Sequence, residues 1–336
     1  MKAIAYTFNR AATEQDSLID IDIPCPKPDV FDLLVEIQAV SVNPVDTKVR
    51  SGVPLDNDEC KVLGWDACGV VVETGSQSKG FKTGDRVWYA GQLNRQGSNA
   101  EFQSVDSRIA SLAPKTLSAS EAAVMPLTSL TAWEALFERL GYTEQPSDWN
   151  QRHPLLIING AGGVGSIALQ LCRIAGIPVT ATASRQESQD WCRAKGADQV
   201  ISHNHLAELA ESSFSRILCC HDTDVYFEEM CRLIAPFGMI CGLSSTHKSH
   251  DIKLLMNKSA GFVWEFMFTK SQLATIDMST QGDILKAIAL LVDSGQISST
   301  LSKQYVGLTA ANLRLMHQHQ EKGQLIGKQA LLVETG

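Results

Sequence analysis

Asn159-Gly160-Ala161-Gly162-Gly163-Val164-Gly165 is the stretch of this 336-residue chain whose spacing points most directly to a chemistry. Glycines at 160, 162 and 165 keep the intervals of a phosphate-cradling turn. The first allows a tight bend, the second lets backbone approach a pyrophosphate, and the third lets a helix pack closely on a strand. A helix opening there turns unpaired N–H groups and a partial positive charge toward an anion. A turn that serves packing alone has the same spacing, so the flanking elements decide. Leu155-Leu156-Ile157-Ile158 reads as a buried strand, residues 164–175 have helical period, and residues 179–183 form the next strand. With all three in sequence, Gly160, Ala161, Gly162, Gly163, Val164 and Gly165 are expected to line a dinucleotide pyrophosphate.

The end of the second strand chooses between two dinucleotides. A carboxylate about 20 residues past the turn would accept from a ribose 2′-hydroxyl. Ala183-Ser184-Arg185 stands there instead, and the first acid is Glu187 in the following helix. Ser184 is suited to donate to a 2′-phosphate and Arg185 to pair with it through a charge-assisted fork. The alternative is an Arg185 that simply points into solvent where the helix begins. The phosphate reading favours NADPH.

Positioning such a site takes a parallel sheet covered by helices, and the chain's middle has the right texture. From Pro154 strands and helices alternate: a helix at 186–195, a strand at 200–201, a helix near 205–211, strands at 216–221 and 239–243, and a helix at 224–235. The first third differs. Short strand-like runs at 33–40, 69–73, 86–88 and 101–105 are separated by turn residues, as in a mostly antiparallel β domain. A helix follows at 118–140, opened by a capping box from Ser118 to Glu121. The tail holds helices at 284–292 and 311–320 and a strand at 329–333. His317 and His319 lie on the second of these helices with no evident partner, and are expected to face solvent.

Bulk properties exclude several classes. A net charge of −8, with no basic run longer than two residues, gives no electrostatic footprint for nucleic acid. The first ten residues turn polar too soon for a signal peptide, and no apolar stretch nears the roughly 20 residues that span a bilayer. Nine cysteines with no spaced pairs read as reduced thiols in a cytoplasmic protein.

The chain resembles the medium-chain dehydrogenase/reductase superfamily, and within it the quinone oxidoreductase-like branch, over essentially its whole length. The resemblance is carried by Ala39-Val40-Ser41-Val42-Asn43-Pro44-Val45-Asp46, Gly64-Trp65-Asp66-Ala67-Cys68-Gly69-Val70-Val71, Gly84-Asp85-Arg86-Val87, Pro126-Leu127-Thr128-Ser129-Leu130-Thr131-Ala132-Trp133 and the glycine turn. Trp264-Glu265-Phe266-Met267-Phe268 further resembles the subgroup labelled zinc-type alcohol dehydrogenase-like. The resemblance implies an α/β protein. A Rossmann doubly wound parallel sheet (131–275) would be inserted into a GroES-like, mostly-β catalytic domain (1–130 and 276–336). The cofactor would lie between the two, and homodimers or homotetramers would form edge to edge.

The resemblance also implies site roles. Asn43 lies near the nicotinamide and Thr131 hydrogen-bonds its carboxamide, while His203 meets the adenosine end and Lys328 a tail position near the cofactor. Asn43-Pro44-Val45-Asp46 reads equally well as an N-cap, a proline at the first helical position and an acid in the first turn. On that reading Asn43 serves either role or both, and Asp46 is chiefly structural, though it remains a catalytic candidate. Leu243 and Ser244 follow a strand at the sheet's carboxyl end, where ligands bind. Trp264 walls the pocket, unless it belongs to core or a subunit interface.

Zinc is not expected. A catalytic zinc needs three protein ligands and an open position. Zinc-dependent relatives have cysteine where this chain has Asn43 and histidine where it has Trp65, and Asp66 holds no metal alone. Without a metal, hydrogen-bond donors must stabilise the oxygen that gains charge, so the acceptor should be intrinsically more willing. A quinone or α,β-unsaturated carbonyl fits that demand. The alternatives are a zinc-independent or weakly active alcohol or aldehyde reductase, and an NADPH-binding redox sensor with little turnover.

Overall fold

The computed structural model of the protein describes residues 1–56 and 59–334. Its contacts divide the chain into two units, Met1–Leu130 with Phe268–Gly336, and Thr131–Met267. Residues 268–275 therefore go with the first unit, whereas the sequence pattern put the division after 275.

The first unit begins with β1 (Lys2–Tyr6), β2 (Ile19–Asp22), β3 (Asp32–Ser41), α1 (Pro44–Gly52), β4 (Lys61–Val62), β5 (Ala67–Thr74), β6 (Arg86–Tyr89), β7 (Phe102–Asp106), β8 (Ala110–Leu112) and α2 (Ala119–Ala123). α3 (Pro126–Trp133) follows. The expected single helix at 118–140 is thus broken. Pro126 has no N–H to continue α2, so a new helix starts with proline at its first position. A π-helical turn, Glu134–Arg139, then replaces the α-helical continuation.

The second unit adds α4 (Asp148–Arg152), β9 (Leu155–Ile158), α5 (Gly163–Ala175), β10 (Val179–Thr182), α6 (Gln186–Lys195), β11 (Gln199–Ile201), β12 (Phe214–Cys219), α7 (Thr223–Leu233), β13 (Ile234–Gly242), α8 (Lys253–Met256) and β14 (Gly261–Trp264). Its six strands are all parallel and run in the order β11-β10-β9-β12-β13-β14. This is the doubly wound order of a dinucleotide fold, with the switch point between β9 and β12. The segment expected as a helix near 205–211 is a short 3-10 turn, His203–Glu208.

The tail supplies α9 (Phe268–Gln272), α10 (Thr280–Asp293), β15 (Leu301–Val306), α11 (Ala310–Glu321) and β16 (Lys328–Leu332). β16 pairs antiparallel with the C-terminal half of β3, Leu332 opposite Ala39 and Ala330 opposite Ser41. β7 takes the N-terminal half of the same strand, and β5 lies along it on a further run of partners. The mostly antiparallel sheet runs β15-β16-β3-β5-β6-β8, with Trp88, Tyr89 and Ile37 among its fully buried side chains. The protein is thus α/β, a GroES-like unit with a Rossmann parallel sheet.

The expectation that the tail histidines face solvent fails for His317, whereas His319 is partly exposed. On α11, Ala310, Leu313, Met316 and His317 share the buried face, and His317 is 0% exposed. Its Nδ1 lies 3.1 Å from Arg50 Nη1 on α1, and Arg50 Nη2 donates to Glu321. His319 Nδ1 lies 2.6 Å from the Tyr305 hydroxyl. Burial first, and the Arg50 guanidinium second, push the His317 pKa down to about 3 from 6.5. A base whose folded pKa is depressed is neutral in the folded protein but takes up a proton when unfolded. Its share of stability is therefore complete above pH 6.5 and lost as pH falls toward 3. We expect His317→Gln to flatten acid unfolding over that window, by up to about 1.4 kcal/mol per pH unit. Denaturation midpoints measured every half pH unit check this, and identical slopes would refute it.

Candidate functional site

In the second unit, β9 ends at Ile158 and the chain turns at Asn159, whose φ of 68° is left-handed. Asparagine tolerates that conformation better than most residues. The turn is fixed from two sides. Asn159 N donates to Thr182 Oγ1 at 2.9 Å, Gly160 N donates to Thr182 O, and Asn159 Nδ2 reaches Cys220 O at 3.3 Å, across the switch point between β9 and β12.

Each glycine has a local reason. A Cβ at Gly160 would meet Ala181 Cβ at 2.8 Å, and one at Gly165 would meet Gly160 O at 2.6 Å and Asn159 O at 2.7 Å. Gly162 is the N-cap of α5, and Ser166 N is the first to donate back to it, at 2.9 Å. The N–H groups of Gly163, Val164 and Gly165 thus precede the helix's own ladder. With Ala161 beside them, this cradle fits a dinucleotide pyrophosphate.

Beyond β10, Ser184 and Arg185 are exposed. Ser184 Oγ lies 3.2 Å from Ser202 Oγ and 3.4 Å from His203 N, so the ends of β10 and β11 come together. Arg185 is the residue before α6, and its backbone N–H donates to Ser188 Oγ at 3.2 Å. His203 is half-buried, with Nδ1 3.0 Å from Thr182 Oγ1 and 3.2 Å from the Tyr226 hydroxyl. Burial, and then nearby His221, depress its pKa and favour the neutral ring. Leu243 N donates to Cys219 O, and Thr223 Oγ1 donates to Ser244 O at 2.8 Å, which fixes the loop after β13. Trp264 closes β14 at 45% exposure, edge-on to Phe262 with ring centroids 4.7 Å apart. Thr131 is buried on α3.

In the first unit a second cluster assembles around Asn43. Its backbone stands at the N-cap of α1, and Asp46 closes half of a capping box by accepting from Asn43 N at 2.8 Å. The Asn43 amide is turned elsewhere: Nδ2 donates to Asp66 Oδ2 at 2.8 Å, and Oδ1 accepts from Lys328 Nζ. Lys328 opens β16 and donates also to Val42 O and Asp66 Oδ2, both at 3.1 Å, so three ammonium hydrogens meet three acceptors. Asp66 Oδ1 accepts from Leu127 N at 2.8 Å, and Asp46 Oδ1 from Gly64 N at 2.9 Å. All four side chains are buried. Burial pushes the Asp46 carboxyl up to about 7, against its hydrogen bond from Asn43. Burial likewise raises Asp66, with Lys328 the main opposing influence.

The structure thus gathers Asn43, Asp46 and Lys328 around Asp66, a residue expected only as a leftover ligand. It also gathers Ser184 and His203 at one end of the parallel sheet. Sequence reading missed Thr182, Tyr226 and Ser202, which carry no motif. The left-handed Asn159 was not singled out either. Trp65, at the place of a metal-binding histidine in relatives, is buried and donates Nε1 to Gln92 O at 3.0 Å. Among the described residues, no three His, Cys, Asp or Glu side chains come together as a metal site. No helix among them is long and apolar enough to cross a membrane.

Comparison with known proteins follows the same outline. The alcohol dehydrogenase GroES-like domain family matches residues 29–128, and the zinc-binding dehydrogenase family matches residues 163–293. A zinc-type alcohol dehydrogenase-like protein of Staphylococcus epidermidis is 39% identical over 335 residues, 98% of each chain. A crystal structure from Rhizobium etli, described as a zinc-dependent alcohol dehydrogenase protein, superposes with a TM-score of 0.94 at 42% identity, covering 100% of this chain and 99% of that one. A 2-methylene-furan-3-one reductase of Solanum lycopersicum is 35% identical over 214 residues, 60% of this chain and 52% of that protein.

Proposed function

The chain belongs to the medium-chain dehydrogenase/reductase superfamily of oxidoreductases, and we propose that it reduces a quinone or an α,β-unsaturated carbonyl compound with NADPH and without zinc. The observation that carries this reading is the state of Asn43 and Asp66, which are bound to the Lys328 ammonium rather than open to a metal. The word zinc in the relatives' names is then inherited from the family. A relative named as a reductase of an exocyclic enone supports the substrate class.

Bound NADPH would supply a hydride to an electron-poor carbon, leaving negative charge on the acceptor's oxygen. Asn43 has a second Nδ2 hydrogen beyond the one given to Asp66, a preorganised donor for that oxygen. Lys328, its own hydrogens spent, holds the Asn43 amide in one orientation. Asp46 positions the same residue through its backbone, which makes it a positioning group. Thr131 is assigned to the nicotinamide carboxamide. Gly160, Ala161, Gly162, Gly163, Val164 and Gly165 take the pyrophosphate, and Ser184 and Arg185 take the 2′-phosphate. His203 takes the adenosine side, and Leu243, Ser244 and Trp264 take the nicotinamide end. As the last strand of its sheet, β14 supports a homodimer or homotetramer built edge to edge.

The deciding experiment screens purified protein with NADPH and NADH against quinones, enones, aldehydes and alcohols, with metal content measured on the same sample. We expect turnover with quinones or enones, NADPH preferred, and no stoichiometric zinc. Arg185→Ala should lower kcat/KM for NADPH about ten- to a hundredfold, since a hydrogen bond to a charged group contributes about 1.5–3 kcal/mol, and leave NADH nearly untouched. One zinc per chain with alcohol oxidation, or an NADH preference, would overturn the reading. Tight NADPH binding with no turnover would point to a sensor.

A further inference from the structure

Thr131 and the glycine turn leave one conspicuous group of the second unit unused. Glu265, the residue after β14, is 2% exposed, and Glu134, one turn beyond Thr131, is 1% exposed. The Glu134 carboxyl is close enough to Glu265 to raise its pKa, next after burial. Arg139 Nε lies 2.9 Å from Glu265 Oε2, and the same guanidinium reaches the half-exposed Glu138 at 3.9 Å. Neither Glu265 oxygen receives a well-aligned hydrogen bond from any described donor. Glu134, Glu138 and Arg139 all lie on the π-helical turn, where Leu140 N donates back to Ala135 O at 2.9 Å. From β13, Cys241 also faces Glu265. Its thiol is pushed up by burial and stays uncharged at neutral pH.

An ionised carboxylate only accepts hydrogen bonds. Two of them side by side in a buried pocket with one guanidinium would leave an uncompensated negative charge, an arrangement proteins avoid by holding a proton. We propose that Glu134 and Glu265 hold one proton between them, and that this pair, anchored by Arg139, is a positioning unit fixing the end of β14 to the segment that carries Thr131. The charges then balance: one carboxyl is neutral, one is ionised, and Arg139 pairs with it. π-turns are costly and recur at functional sites, and here the turn presents Glu134 and Arg139 together. The catalytic part rests on the assignment of Thr131 to the nicotinamide made above. The shared proton does not.

The test has two arms. Infrared spectroscopy of the wild-type protein at pH 7.5 should show a protonated-carboxyl C=O band that shifts on deuteration and persists until the pH approaches about 9, where burial and then Glu134 hold Glu265. Glu265→Gln and Glu134→Gln should each remove it. Absence of the band from the wild type overturns the shared proton, whether or not either variant folds and whether or not the protein turns over a quinone. The second arm is kinetic. If the pair positions Thr131, wild-type kcat should fall on the alkaline side as the proton leaves. Glu265→Gln, which keeps the pair at a single negative charge with no proton to lose, should remove that limb with KM for NADPH changed less than twofold. An alkaline limb that survives in Glu265→Gln overturns the positioning role.

Discussion

Replacing Lys328 by methionine should cost about 3–5 kcal/mol of unfolding free energy at neutral pH, the usual cost of removing one member of a buried ion pair. Methionine keeps nearly the same length, so the loss is electrostatic rather than a cavity. Asp66 would keep only Asn43 Nδ2 and Leu127 N as donors, in a fully buried pocket that also holds Asp46. Asn43 Oδ1 would lose its donor too, freeing the amide to rotate. Because burial already raises Asp66 and Lys328 opposes it, the variant's Asp66 should take up a proton at higher pH than in the wild type. A carboxyl with a raised folded pKa stabilises relative to the unfolded chain at low pH and loses that stabilisation as pH rises. The deficit should therefore shrink on acidification. Urea midpoints of wild type and Lys328→Met at pH 5 and 7.5 measure it. A second change, Asp66→Asn, should recover part of the loss by removing the stranded charge. Equal midpoints for wild type and variant would mean that the ammonium is not the partner on which Asp66 depends.

The contrast between this cluster and the glycine turn shows what the sequence could carry. The turn is local: three glycines, two of them barred from a Cβ by atoms within a few dozen residues, read directly as spacing. The parallel sheet was legible for a similar reason, since buried strands and amphipathic helices keep their periods. Asn43 and Lys328 stand 285 residues apart, and no period or spacing connects them; only the resemblance named both.

Other misses have specific causes. β15, Leu-Ser-Lys-Gln-Tyr-Val, pairs with β16 and ends its sheet, so it has the polar dress of an edge strand and hides its alternation. β14 has four residues, too short for period-two reading. The helix expected at 118–140 runs through Pro126, although the proline itself marks the break. His317 was assigned to solvent although Leu313 and Met316 at helical spacing placed it on the buried face. For β15 and His317 the local signal competed with an assumption about polarity, and packing decided.

The second large effect is expected at Gly165. A Cβ there would stand 2.6 Å from Gly160 O and 2.7 Å from Asn159 O. Both obstacles are backbone, held by the bonds from Asn159 N and Gly160 N to Thr182, so neither can swing away as a side-chain tip would. Gly165→Ala must push the start of α5 off the end of β9. Overpacking of this kind typically costs about 1–3 kcal/mol. The displaced helix start would also misalign the N–H groups of Gly163 and Val164, and losing even one hydrogen bond to a charged phosphate weakens binding about ten- to a hundredfold. Gly162→Ala is the discriminating control. Its Cβ would meet the Asn159 amide at 3.1 Å, a side chain able to shift a few tenths of an ångström. Gly162→Ala should therefore keep most of the stability while losing affinity, because the methyl intrudes where backbone must approach the pyrophosphate. Titrating NADPH against tryptophan fluorescence, with thermal melts on the same samples, separates the two. Loss of affinity in both variants, with loss of melting temperature chiefly in Gly165→Ala, is the expected pattern. Wild-type affinity in both would remove the turn from the cofactor site and leave it as a packing device.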